Sequence, residues 1–420
     1  MKSLNELVEL QLHSRDITPR ITPWLKEHEA IVISGGRRTG KTSLMYLLGR
    51  QMPGSAHVLD MEVPEDRDIA LAGPDALEQV TGGGTVFIDE IQRLPDFPRF
   101  IKLCVDYHPR LKLVVSGSSS LAIARGFSDE LVGRIVMFEL SVLSFREYLN
   151  FRGYGSLAGV KTAQGDVLPQ VDGLFNEYLQ YGGYPRVALL ATAEMKMQYL
   201  GDLIRVYAQR DVDALTRIGD EAAFERFIHA LSMSAGSMVS VREIASDIGV
   251  SDKTLARYLQ ILQQLYLVHL VPPLARNVRS EVKRTPKLYF GDTGLLNWAR
   301  GSFLSIEQRG DAGAIAENYA FLALSRTLRQ GERLHYWRKT SGAEVDFVVA
   351  DGDLLPVEVK WSGDPSAGRG FTSFLEQYKP PRAVVLTRGV TRSGNVASVP
   401  VEYRPLQTFE LGSELGSAGK

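Results

Sequence analysis

Eight consecutive residues, Gly35-Gly36-Arg37-Arg38-Thr39-Gly40-Lys41-Thr42, follow the spacing G-x-x-x-x-G-K-[ST]. Each residue type has a task in holding a polyphosphate. Glycines let backbone N–H groups turn inward around a phosphate, and the Lys41 ammonium neutralises the β and γ oxygens. The Thr42 hydroxyl is a ligand for Mg2+, and the helix that follows, with Ser43 in its first turn, points its positive end at the anion. The candidate nucleotide-binding set is therefore Gly35, Gly36, Arg37, Arg38, Thr39, Gly40, Lys41, Thr42 and Ser43, with ATP and Mg2+ as expected cofactors. A second constellation is the apolar run TVFID, ending at Asp89, with Glu90 next to it. A buried strand rarely ends in two adjacent acids without a cation nearby, because unpaired buried charge is costly. Asp89 is expected to hold the Mg2+ shell and Glu90 to polarise an attacking water.

Two further elements fit the same chemistry. The run LVVSG leads into Ser116, Ser118, Ser119 and Ser120, where a hydroxyl can approach the γ-phosphate or simply close a strand. Arg134, after Leu131-Val132-Gly133, is either an arginine finger for its own or a neighbouring subunit's phosphate or half of a surface salt bridge.

A separate group of residues lies towards the C-terminus. Asp346 falls in AEVDFVV, and Glu358-Val359-Lys360 follows twelve residues later on the next strand. Side chains two apart on a strand share a face, so Glu358 and Lys360 project together. With Asp346 alongside and Glu317 on the helix GAIAENYAFLALSRTL, carboxylates can hold Mg2+ while Lys360 activates water or stabilises phosphate charge. This D…ExK pattern resembles the core of PD-(D/E)xK nucleases. An active nuclease, a nuclease fold without cleavage and an unrelated fold with a cross-strand ion pair all remain open.

The elements that must position these groups follow from the apolar pattern. AIVIS before the glycine loop, TVFID and LKLVVSG are continuous, β-branched-rich runs separated by helix-length segments, which predicts a parallel sheet covered on both faces. The first 25 residues read as an amphipathic helix and a loop broken by Pro19 and Pro23. Residues 141 to 235 read as helical, with a glycine break at YGGYP (181–185). SVREIASDIGVSDKTLARYLQILQQLYLV reads as helix–turn–helix around Gly249-Val250-Ser251. Ile244, Ala245 and Ile248 form one apolar face, and Leu255, Leu259, Leu262 and Leu265 the other. Ser251 or Asp252 caps the second helix, whose Lys253, Thr254 and Arg257 would face a DNA major groove. A wing is expected near VHLVPPL and the basic loop with Arg276, Arg279, Lys283 and Arg284. Such modules also bind proteins or act as lids.

The resulting expectation is an α/β protein in four parts: a nucleotide-binding domain at 1–150, a helical domain at 151–235, a winged-helix-like module at 236–290 and a nuclease-like domain at 310–412. The tail beyond Gly412 reads as disordered. At 420 residues, two to three cores are expected. The 48 basic and 49 acidic side chains exclude a globally basic nucleic-acid-binding chain but leave a local patch possible. Cys104 is the single cysteine, so neither an internal disulfide nor a zinc cluster supports the fold, and the thiol reads as a small buried hydrophobe. No apolar run is long enough to span a bilayer and the N-terminus lacks a secretory layout, which favours the cytoplasm.

Taken together, GGRRTGKTS, FIDEIQRLPDF, VVSGSSSL, LVGRIVMFELSVLSFREYL, YLQYGGYPRV, KLYFGDTGLLN, EVDFVV and PVEVKW resemble bacterial and archaeal ATPases of the AAA type with a C-terminal nuclease-like domain. The resemblance covers almost the whole chain. It implies a P-loop sheet of the ASCE type, the roles given above for Lys41, Thr42, Asp89 and Glu90, Ser116 or Ser118 at a sensor position and Arg134 at the place of the finger. Arg186 departs from it, since many relatives carry an acid there. The expected activity is ATP hydrolysis that couples nucleotide state to the winged-helix and nuclease-like modules, on DNA or on a protein partner, with self-association as a further possibility. An ATP-gated nuclease and a scaffold ATPase are the rival readings.

Overall fold

A computed structural model describes residues 2–3, 12–52, 56–117, 129–159, 167–207, 221–274, 285–329, 331–361 and 365–411. The chain divides into two compact units, Met1–Leu143 with Gln264–Tyr266, and Ser144–Gln263 with Leu267–Lys420.

The first unit is built on a six-stranded sheet. Its strands are β1 (Lys2–Ser3), β2 (Ala30–Ser34), β3 (Ala56–Asp60), β4 (Gly84–Asp89), β5 (Leu111–Gly117) and β6 (Ile135–Glu139), in spatial order β1-β3-β4-β5-β2-β6. β2 to β6 are mutually parallel, and β1 adds antiparallel to β3. The run AIVIS is buried at every position because helices cover both faces. Successive residues therefore serve opposite cores. Val32, Val86, Ile88 and Val115 pack with Phe100, Ile101 and Cys104, whereas Ile31, Ile33, Phe87 and Val114 pack with Leu44, Met45 and Leu48. Burial pushes the Cys104 thiol up to about 12, which suits a packing residue rather than a nucleophile.

Lys2–Ser3 is a strand paired with His57 and Val58, and the short helices Thr18–Ile21 and Thr22–Lys26 follow residue 12; residues 4–11, where most of the expected amphipathic helix falls, lie outside the described residues. The Pro19 and Pro23 rings each occupy the first turn of one of these helices, where a missing N–H costs nothing.

In the second unit, Phe145–Phe151, Val167–Tyr181, Pro185–Leu189, Ala193–Val206 and Glu221–Met233 are helical, as the sequence pattern led us to expect. The helices Val241–Ile248 and Asp252–Gln264 precede a two-stranded antiparallel sheet of β7 (Val268–Val271) and β8 (Lys287–Phe290). Gly249 ends the first helix at φ 74°, and Ser251 caps the second by accepting the Thr254 N–H at 3.1 Å. The basic loop at 276–284 lies outside the described residues, as does the tail beyond 411.

After the helix Ala312–Thr327 comes a mixed sheet of β9 (Arg333–Arg338), β10 (Glu344–Asp351), β11 (Asp353–Lys360), β12 (Ala383–Thr387), β13 (Arg392–Val396) and β14 (Val399–Pro405). Its order is β13-β14-β12-β11-β10-β9. β10 and β11 form a hairpin turning at Gly352, whose φ of 79° suits glycine. The helix Arg369–Tyr378 joins β11 to its parallel neighbour β12 and packs Phe371, Phe374 and Leu375 on Val345, Val348 and Val385.

Candidate nucleotide site and carboxylate cluster

β5 lies between β2 and β4, so the ends of three parallel strands meet at one edge of the first sheet. β2 ends in the glycine loop, β5 in Ser116-Gly117 and β4 in Asp89-Glu90. Gly35 has φ 151°, and a Cβ there would lie 2.3 Å from the Leu140 carbonyl oxygen, so only glycine fits beside the segment leaving β6. Gly40, at φ 98°, starts the helix Lys41–Gly49 without a capping side chain. The positive end of that helix is thus left for an external anion.

Lys41 is buried, and its ammonium donates to the carbonyls of Gly35 at 3.0 Å and Gly36 at 2.9 Å. Burial lowers its pKa to about 8 against the opposing pull of Glu90 and Asp89. Thr39 donates to Gly36 O at 3.0 Å and closes the loop on itself. Thr42 Oγ1 donates to Asp89 Oδ2 at 2.5 Å, while Ser116, fully buried, donates to Asp89 Oδ1. Asp89 therefore gathers hydroxyls from the two neighbouring structural elements. Glu90 adopts a left-handed φ of 52° and accepts a bond from Gln92 Nε2. A non-glycine residue held in that region is strained by roughly 1 kcal/mol or more, a feature common where a side chain must be aimed. A loop with an inward ammonium, an uncapped helix start and a hydroxyl–carboxylate pair makes a donor set that fits a magnesium-bound nucleoside triphosphate.

Two expected residues take other places. Ser116 donates to Asp89 Oδ1; Ser118, Ser119 and Ser120 lie outside the described residues. Arg134 precedes β6 at the edge where β2 begins, since Ala30 pairs with Ile135. It is thus one strand length from the loop that follows Ser34, and it bonds Asp106 Oδ1 at 2.7 Å. It lies at the opposite end of β6 from the glycine loop.

In the first unit, two residues outside the sequence motifs join this site. Arg15 is 5% exposed and donates to Thr39 O at 2.7 Å and Ser141 O at 2.8 Å, tying the glycine loop to the segment after β6. Nothing in its local sequence marks it. Asp60, which ends β3, pairs in register with Asp89, and burial raises its pKa. Its signal was legible as a second apolar run, AHVLD, ending in an acid.

In the second unit the structure brings Glu317, Asp346, Glu358 and Lys360 to one region. Asp346 Oδ2 accepts the Val359 N–H at 2.8 Å, and Lys360 Nζ lies 2.8 Å from Glu358 Oε1. Burial raises the pKa of Glu317 to about 7 and that of Glu358 to about 8. The unforeseen member is Lys287, from the KLYF strand, whose ammonium lies 2.9 Å from Glu317 Oε1. On the helix Asp252–Gln264, Lys253 and Arg257 are exposed and Thr254 is half-buried at the capped end.

Residues 27–149 match a family model described as an AAA domain. The first unit carries an AAA-type P-loop domain. Residues 172–306 and 312–402 match two models each described as a domain of unknown function, DUF8612 and DUF4143. The chain is 28% identical over 400 residues to an uncharacterized protein of Mycobacterium tuberculosis, covering 93% of this chain and 84% of that one. An uncharacterized protein of Methanocaldococcus jannaschii is 24% identical over 347 residues, covering 80% of this chain and 74% of that one. Among solved structures, the RuvB Holliday junction branch migration motor of Thermotoga maritima shares 18% identity over 67% of this chain and 97% of that chain. Its TM-score of 0.33 is too low to argue from. No helix among the described residues is long and apolar enough to cross a membrane.

Proposed function

We propose that the chain is a magnesium-dependent ATPase whose first unit binds and hydrolyses ATP and whose second unit is the effector that reads the nucleotide state. The observation that carries this is the line Thr42–Asp89–Ser116 at one sheet edge, beside the Lys41 ammonium and the strained Glu90. Lys41 would bind the β and γ oxygens, and the backbone N–H groups of 35–42 would cradle the phosphates. Thr42 and Asp89 would hold Mg2+, which when bound neutralises developing phosphate charge. Ser116 orients Asp89, and Glu90 orients the attacking water and draws its proton. Arg37, Arg38 and Ser43, in or beside the same loop, would complete the phosphate contacts.

For the second unit we propose a winged-helix-like module joined to a nuclease-like domain. Support for the first is the helix pair with its Ser251 cap followed by β7 and β8. Support for the second is the helix Ala312–Thr327 ahead of β9 to β11, a crossover helix and β12, with Asp346 and Glu358 on adjacent strands. Exposed Lys253 and Arg257, with Thr254, make duplex DNA the preferred partner; a protein partner or self-association is the alternative. An ATP-gated nuclease is disfavoured by the cation already lodged among the carboxylates.

ATP hydrolysis by wild-type and Glu90→Gln protein, each with and without duplex DNA, tests the reading. The variant should retain nucleotide binding and lose turnover by about a hundredfold or more, the scale of a positioned general base. Equal turnover in both proteins would remove Glu90 from the mechanism, and a wild-type rate indifferent to DNA would redirect the search to protein partners.

A further inference from the structure

The carboxylate cluster of the second unit is built around a lysine. Glu317 comes from the helix Ala312–Thr327, Glu344 and Asp346 from β10, Glu358 and Lys360 from β11, and Lys287 from β8. Lys287 is 2% exposed. Its ammonium stands 2.9 Å from Glu317 Oε1, 2.5 Å from Glu344 Oε1 and 3.9 Å from Asp346 Oδ1. Other donors take much of the remaining acceptor capacity. Tyr289 Oη donates to Glu317 Oε1 at 2.7 Å, Arg338 Nη1 to Glu344 Oε2 at 3.0 Å and the Val359 N–H to Asp346 Oδ2 at 2.8 Å. Within this cluster, Glu358 Oε2 is buried with no hydrogen-bond partner among the described residues.

We propose that the Lys287 ammonium is the resident cation of Glu317, Glu344 and Asp346, so that in the wild-type second unit these three acids form a metal-free polar core rather than a divalent-ion site. Mg2+ sits about 2.1 Å from its oxygen ligands and requires an ordered octahedral shell. An ion bound to Glu317 Oε1 and Glu344 Oε1 would overlap the amine that already lies within hydrogen-bond distance of both oxygens. It would also add two positive charges beside a third in a poorly hydrated site. Expelling the amine is equally unfavourable, because a buried lysine stripped of its acids loses the interactions that offset its desolvation. Burial works against the charge of Lys287, yet Glu317, Asp346 and Glu344 outweigh it and hold the amine well above the ordinary lysine range.

The same geometry makes the site latent. Removing the amine leaves Glu317, Glu344 and Asp346 facing one another with their counter-charge gone, next to the unsatisfied Glu358 Oε2. A divalent cation then becomes the natural replacement. No phosphate-loop residue takes part, so this holds whether or not the first unit hydrolyses ATP.

The test is Mn2+ binding to the nucleotide-free full chain, followed by electron paramagnetic resonance, for wild type, Lys287→Met, Asp346→Asn and Lys287→Met/Asp346→Asn. The expected result is no Asp346-dependent Mn2+ in wild type, one additional ion per chain in Lys287→Met, and loss of that ion in the double variant. Any weak binding at Thr42 and Asp89 is common to all four proteins and cancels. Wild-type protein that binds Mn2+ and loses it on Asp346→Asn would overturn the proposal, as would a folded Lys287→Met protein that gains no ion. Should Lys287→Met not fold, wild type against Asp346→Asn still decides: Asp346-dependent binding refutes the proposal, and its absence upholds it.

Discussion

Asp89 accepts from Thr42 on one oxygen and from Ser116 on the other, which fixes the carboxylate in rotation as well as position. A hydrogen bond to a charged group contributes about 1.5–3 kcal/mol, and each 1.4 kcal/mol is roughly a tenfold change in rate. Ser116→Ala is therefore expected to lower kcat/KM for ATP by about tenfold or more, with the Mg2+ requirement shifted to higher concentration. Steady-state rates across a Mg2+ series check this; an unchanged Mg2+ dependence would show that Ser116 does not act through Asp89. The sequence named Thr42, Asp89 and Ser116 by type, because strand ends and spacing are local properties. That Ser116 turns to Asp89, and Arg134 to Asp106 at the opposite edge, depends on strand order, which no local pattern encodes.

At the scale of elements, two connections hold motifs that the sequence showed only as phrases. Arg15 joins Thr39 O to Ser141 O, so the glycine loop and the segment after β6 share one guanidinium. Arg15→Ala should reduce the thermal stability of the first unit by about 1–3 kcal/mol, the cost of leaving buried acceptors unsatisfied, and weaken ATP binding. Calorimetry and nucleotide titration read both effects, and unaltered ATP affinity would confine Arg15 to stability.

The second connection explains YGGYP and FGDTGLL together. Asp292 caps the helix Thr293–Ala299 through Leu295 N at 3.0 Å and accepts the Gly183 N–H at 2.7 Å. A Cβ on Gly182 would lie 2.1 Å from Asp292 Oδ1, and one on Gly294 would lie 2.1 Å from Tyr181 O, so both glycines are steric requirements. Asp292 is 1% exposed, and burial raises its pKa to about 6 despite the backbone donors. Because the folded value lies above the ordinary carboxylate value, the folded state holds the extra proton. The contribution is fully present below about pH 4 and is lost as pH rises through 6. Asp292→Asn should therefore be less stable than wild type by about 1–3 kcal/mol at low pH, with the difference narrowing between pH 4 and 6. Parallel unfolding curves across that window, with a constant gap, would rule out this titration.

For the whole molecule, net charge −1 makes any DNA affinity the work of a local patch. If the helix Asp252–Gln264 meets a duplex, Lys253→Glu with Arg257→Glu should weaken binding at every sequence. It should also flatten the dependence of log affinity on log salt by about one unit for each phosphate that is no longer neutralised. A salt slope identical to that of wild type would remove this helix from the interface.

What the sequence determined by itself was whatever chemistry is written in adjacent residues. This includes the glycine loop with Lys41 and Thr42, the acids ending TVFID, the buried parallel strands and the helix pair around Gly249-Val250-Ser251. It also marked Asp346, Glu358 and Lys360 as neighbours, because strand periodicity fixes which side chains share a face. Only the tertiary structure decided which distant cation stands beside Asp346. Lys287 lies thirty residues from Glu317 and fifty-nine from Asp346, in a strand whose pattern reads as plain apolar. The ammonium reaches Glu317 and Asp346 because β8 is buried beside the helix Ala312–Thr327 and β10, a long-range arrangement that brings a positive charge next to acids the sequence pattern read as metal ligands.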